Sequence, residues 1–173
     1  MRISNYNIPV KAGEKLNIPT GIAYAKGDKV PCRDPFIMLY GDKYFFYKGG
    51  GAKGICCSVS DDLETWSPAV TVFTPPADFH GIKDFFWAPE CHYYKGSFYL
   101  FTSVFSSVTG HRNISVYRAD TPLGPFRDIA GGCVVKPEWD TIDGTLYVDE
   151  SGPWMVFVHE WTSMPDGIGV MAA

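Results

Sequence analysis

The chain has 173 residues, 46% of them hydrophobic, enough for one domain with a sizeable core. Its 15 Lys and Arg against 19 Asp and Glu leave a net charge of −4 with no basic cluster, so the electrostatic footprint of a nucleic-acid or anionic-membrane partner is missing. With 16% aromatic residues besides, the composition excludes a disordered chain.

Residues 1–30 form a segment ahead of the first repeating unit, and Met1 to Asn7 contain no apolar h-region. No run approaches the roughly 18 apolar residues of a membrane-spanning helix, and the expectation is a soluble, cytoplasmic protein. Strand signals follow at 36–40, 44–47, 55–60, 70–73, 91–94, 98–105, 113–118, 133–135, 145–148 and 154–158. Each is rich in β-branched and aromatic residues and bounded by Gly, Pro, Asp or Ser. No window carries a helical period over three turns.

Three acids open repeats of one pattern: acid, short apolar run, tight turn, aromatic strand. Asp34 leads to Tyr44-Phe45-Phe46-Tyr47, Glu90 to Phe98-Tyr99-Leu100-Phe101, and Asp143 to Trp154-Met155-Val156-Phe157. The spacings are 90−34=56 and 143−90=53, and four strands per unit make a propeller blade. The units fall at about 31–80, 81–135 and 136–173, the last cut short in the apolar run Gly169 to Ala173. Two and a half to three blades are too few to close a ring, so the expectation is an all-β chain forming the N-terminal part of a roughly five-bladed propeller. The turns Ser60 to Trp66 and Ala119 to Phe126 each end on a large aromatic, expected to pin the turn against the next blade.

Several familiar motifs fail on context. Gly49, Gly51 and Gly54 match G-x-G-x-x-G, yet they lead into a strand, with no helix N-terminus for a pyrophosphate. Lys53 is followed by Gly54 rather than Ser or Thr, so this is no P-loop. His159-Glu160 starts an H-E-x-x-H pattern that ends on Ser163, and His80, His92 and His111 show no ligand spacing, so no metal site is expected. The cysteines, at 32, 56, 57, 91 and 133, are odd in number and lack framework spacing; they read as small, reduced core residues.

The acids differ in kind. Asp34, Glu90 and Asp143 stand at the start of innermost strands, where flanking Pro or Gly sets the backbone direction, and the repeat places them around one axial funnel. Carboxylates brought together push one another's pKa upward, while Arg33 pulls a neighbour down. Such a divergence suits acid/base hydrolysis of a glycosidic bond, with Trp87, Trp139 and Trp161 able to stack on sugar rings.

As a set, four segments of the sequence resemble glycoside hydrolase family 43: Arg33-Asp34-Pro35-Phe36 with Tyr44 to Tyr47, Ser60 to Trp66, Trp87-Ala88-Pro89-Glu90, and Asp143 to Gly152. The resemblance implies a five-bladed propeller that cleaves arabinofuranosyl or xylosyl linkages of an oligosaccharide with inversion. It assigns Asp34 as the general base and Asp143 as the acid's orienting carboxylate, and it puts the general acid on a Glu opening the following blade. A fragment without that residue is expected to be nearly inactive. Glu90 and Gly144 depart from the commoner Asp and Pro, as in a subgroup with a His-Glu-Trp segment, here His159-Glu160-Trp161. Glu160 is then a candidate acid or substrate contact, with Trp87, Glu90, His159 and Trp161 as substrate-binding candidates. No cofactor is required, although related folds sometimes hold calcium in the axial channel. A non-catalytic sugar-binding propeller is the alternative; a protein-interaction propeller has no need of axial acids.

Overall fold

The computed structural model describes residues 10–49, 51 and 54–173. Gly50, Ala52 and Lys53, on which the glycine-loop reading partly falls, lie outside the described residues.

Eleven strands and one 3-10 turn at Trp161–Ser163 make up the regular structure among the described residues. Blade I is β1 (Phe36–Tyr40), β2 (Lys43–Gly49), β3 (Ile55–Ser60) and β4 (Val70–Phe73), hydrogen-bonded in that order. Blade II repeats the order with β5 (Trp87–Tyr94), β6 (Ser97–Phe105), β7 (Arg112–Ala119) and β8 (Arg127–Asp128). Blade III has β9 (Thr141–Asp149), β10 (Gly152–His159) and β11 (Val170–Ala172). All pairings are antiparallel, β5 packs on β1 and β2, and β9 packs on β5, β6 and β7. Successive sheets thus stack face to face as propeller blades do.

The core lies between the blades. Met38, Tyr40, Phe45 and Tyr47 of blade I meet Cys91, Phe98, Leu100 and Tyr117 of blade II in one buried cluster. A smaller one joins Phe101, Ile114 and Val116 of blade II to Phe157 of blade III. Cys56, Cys57 and Cys91 are buried as expected, whereas Cys32 and Cys133 are partly exposed; all five are free thiols.

Three readings are corrected. Residues 133–135 form no strand: Val134 N–H makes one bond to the Ile114 carbonyl at 3.3 Å, while Val134 and Val135 pack on the smaller core. The outer strand of blade II is instead β8. Trp66 does not pin the next blade; it stacks edge-on against Phe46 at 5.5 Å and bridges to Tyr24 of the N-terminal segment. Phe126 reaches backwards, its N–H bonding the Val72 carbonyl of blade I at 2.8 Å.

Candidate active site

The hairpin turns set the true register of the repeat. Tyr40, Tyr94 and Asp149 each close the first strand of a blade by pairing with Lys43, Ser97 and Gly152. Counting back six residues from each gives Asp34, Ala88 and Asp143, with spacings 88−34=54 and 143−88=55. These three are left-handed, with φ of 51°, 41° and 55°. Such a backbone costs a non-glycine residue about 1–2 kcal/mol, least for Asp, so its recurrence marks a shared design. In β5 and β9 the ladder slips by one residue there, between Trp87 and Glu90 and across the equivalent Ile142 to Thr145, a bulge that re-aims the side chain. The acid repeat is therefore corrected: Glu90 stands two residues further on, at the position of Phe36 and Thr145, and blade II has Ala88 where its neighbours have Asp.

Asp34, Glu90 and Asp143 nevertheless line one cavity of about 360 Å³, with Phe36, Trp87 and Ile142 in its wall. Its size is that of a small-ligand site. Asp143 is anchored from the neighbouring blade, its N–H donating to the buried Ser103 hydroxyl at 3.0 Å. Gly144 is required behind it, because a Cβ there would stand 2.8 Å from Ile114 Cγ2. Burial raises the Asp143 carboxyl above the usual range, and the charges of Asp34, Glu90 and Glu160 raise it further. Asp34 is exposed at the rim. Glu90 Oε2 lies 3.0 Å from His92 Nε2, and the same nitrogen lies 3.3 Å from the Thr145 hydroxyl. The buried His92 ring contacts Phe36 and Phe101, so Glu90 is tied into the seam where three blades meet.

Glu160 belongs to a second network. Arg112 Nη1 donates to Glu160 Oε2 at 3.0 Å while its guanidinium lies 3.8 Å from the Trp87 ring centroid. Asp140 accepts from Arg112 N–H at 2.8 Å and from Thr162 at 3.0 Å, and His111 is 3.4 Å away. Burial opposes ionisation of Asp140, but these hydrogen bonds outweigh it and hold its carboxyl below the usual range. Glu160 Oε2 is thus engaged by a cation that is itself stacked on Trp87. Arg112→Met is expected to cost roughly 1–3 kcal/mol, since it strips a partly buried carboxylate of its partner. Arg112→Lys restores little, as only a planar fork both pairs and stacks; denaturant unfolding of both variants, crossed with Glu160→Gln, measures the coupling.

The remaining candidates separate. Trp87 borders the acidic cavity with one face occupied by Arg112. His159 does not face the cavity: it is buried, stacked on Trp139 at 4.0 Å and 13°, and bonded to the Ser163 hydroxyl at 3.0 Å. That serine holds the place of the second histidine in H-E-x-x-H. The same stack takes one face of Trp139. Trp161 is 60% exposed on the 3-10 turn and outside the cavity wall. Among the described residues no group of three or more His, Cys, Asp or Glu is placed to hold a metal ion. The sequence carries no local signal for Arg112, Asp140 or Ser103, whose partners Glu160, Thr162 and Asp143 lie on other strands or turns.

The profile of glycosyl hydrolases family 43 matches residues 29–172. An extracellular exo-alpha-(1->5)-L-arabinofuranosidase of Cellvibrio japonicus is 29% identical over 77% of this chain and 42% of its own length. An extracellular endo-alpha-(1->5)-L-arabinanase of Bacillus subtilis is 25% identical over 76% of this chain and 44% of its own. Among solved structures, an endo-arabinase from Bacteroides thetaiotaomicron superposes with a TM-score of 0.74 at 32% identity, covering 86% of this chain and 52% of that one. An endo-1,4-beta-xylanase from the same organism gives 0.66 at 30%, covering 87% and 48%. The chain thus spans about half the length of the relatives it matches, as three blades of a five-bladed propeller do. The expectation of a cytoplasmic protein is overturned by the relatives, both named extracellular. The N-terminus of a chain matching under half of each carries no information on targeting, and free cysteines that pack as small apolar groups report no compartment. Three blades in sequence order, the acids at their inner strands and a profile match over most of the chain lead to one assignment: the chain belongs to glycosyl hydrolases family 43.

Proposed function

We propose that this chain carries the water-activating half of a glycoside hydrolase that cleaves arabinofuranosyl or xylosyl linkages of an oligosaccharide with inversion. The observation that carries the reading is the pair of left-handed aspartates, Asp34 and Asp143, facing one cavity from blades I and III. Asp34, exposed at the rim, is the general base: as a carboxylate it takes a proton from the attacking water. Asp143, held by Ser103 and with its carboxyl raised above the usual range by burial, orients the proton donor and tunes its pKa. Glu90 lines the same cavity as a substrate contact, with Trp87 as its aromatic wall. Glu160, committed to Arg112, is a positioning group, and the donor is the Glu that the family places at the opening of the following blade. The activities for which the relatives are named, arabinofuranosidase, arabinanase and xylanase, support pentose linkages as the substrate class.

The test is the anomer first formed. Proton NMR of the full-length protein hydrolysing an aryl α-L-arabinofuranoside or β-D-xyloside is expected to show inverted sugar before mutarotation. A retained anomer removes the base role from Asp34, and no hydrolysis of either class favours a non-catalytic sugar-binding propeller.

A further inference from the structure

Two cavities meet at Asp34, Trp87 and Ala88, and they differ in charge. The acidic one gathers Asp34, Glu90 and Asp143 with no cation in its wall. The other, of about 400 Å³ between blades I and II, is lined by Arg33 and Lys48. Among the described residues neither cation is in an ion pair with a carboxylate. Lys48 Nζ gives one hydrogen bond to the Tyr24 hydroxyl at 3.1 Å and lies 5.0 Å from that ring, keeping donors to spare. Cys32 in the same wall, its thiol raised by burial, feels Lys48 and Asp34 with opposite signs, so both charges bear on one place.

Asp34 is the one carboxylate in that wall and is in no ion pair with either cation, so Arg33 and Lys48 keep donors for an anion that arrives with the ligand. We propose, building on the glycosidase reading above, that this second cavity is a subsite for a sugar carboxylate: the saccharide sets a pentosyl unit against Asp34 and Asp143 and a uronic acid residue between Arg33 and Lys48. The guanidinium offers the planar fork that matches a carboxylate and the ammonium a point charge beside it. Trp87, shared by both cavities, gives the adjoining sugar rings an apolar wall. A monoanion fits better than a phosphate monoester, whose nearly doubled charge meets stronger repulsion from Asp34.

The experiment compares, in the full-length protein, kcat/KM for a neutral pentosyl oligosaccharide, the same oligosaccharide bearing one hexuronate, and its carboxyl-reduced form. A preference of roughly tenfold to a hundredfold for the uronate is expected from one or two charge-assisted contacts. It should weaken with salt and collapse toward unity in Arg33→Gln and in Lys48→Met, with circular dichroism checking that each variant folds. Equal kcat/KM for the three substrates, or a preference that survives both substitutions, overturns the proposal. Should no substrate be cleaved, the glycosidase reading fails by itself, and calorimetric titration of Asp143→Asn with the uronate and reduced oligosaccharides decides the subsite. Tighter binding of the uronate supports it; equal binding, or inorganic phosphate binding as tightly, overturns it.

Discussion

Asp34→Asn in the full-length protein is expected to lower kcat for an aryl arabinofuranoside or xyloside by roughly 10²–10⁴-fold, the contribution of a positioned general base, with KM little changed. Asparagine keeps the shape and tolerates the left-handed backbone at φ 51°, so the loss reports chemistry rather than folding. Asp143→Asn should lose activity comparably but differ in stability. The Asp143 pKa is raised, by burial first and then by Asp34, Glu90 and Glu160, so the folded chain holds this proton more tightly than the unfolded chain. Between the unfolded value and the raised folded value the native state binds more protons, and stability falls as pH rises through that window. Removing the ionisable group removes this cost. Asp143→Asn is therefore expected to melt no earlier than wild type at neutral pH, and to lose any advantage below the ordinary carboxylate range. Full activity in either variant sinks the role given to that residue, and an Asp143→Asn protein less stable at neutral pH contradicts the electrostatic account.

Phe98→Ala is expected to cost about 3–5 kcal/mol, the range for deleting a buried aromatic. Total stabilities are commonly about 5–15 kcal/mol, so this is a large share. Phe98 is 0% exposed and lies edge-on to Tyr40 at 4.9 Å and tilted to Tyr93 at 5.1 Å, joining the first strand of blade I to the hairpin of blade II. The acidic cavity depends on this junction, since it draws Asp34 from one side and Glu90 from the other. Urea unfolding should show a lower midpoint at unchanged slope. Phe105→Ala is the control: that ring is 37% exposed at the end of β6, and its removal should stay within about 1 kcal/mol. Equal losses at the two positions would place the blade junction elsewhere.

Much of the fold was legible because strand signals are local. Alternating aromatic and β-branched residues between Gly, Pro and Asp turns located the central strands of each blade, and hairpin closure at Gly41, Gly96 and Gly152 needs nothing beyond the turn residues themselves. Val134 and Val135 show the limit: a β-branched pair reads as strand, yet their side chains are wanted by a core and their backbone finds almost no ladder. Trp66 and Phe126 announced that something would be pinned, and the blade or segment pinned depended on which surface lay opposite.

The candidate site divides the same way. By itself the sequence determined the all-β class, the blade period and the two aspartates at inner-strand starts, because these follow from residue types at fixed short spacings. The observed hairpin register decided that Ala88, not Glu90, is the counterpart of Asp34 and Asp143, since the pattern of acid, apolar run and turn is met by Glu90 as well. Tertiary structure alone decided that His159 is spent on Trp139, that Arg112 claims Glu160 across 48 residues, and that a cationic cavity adjoins the acidic one. Those contacts join different strands and blades, and their geometry is set by how sheets twist and stack, which no local spacing encodes.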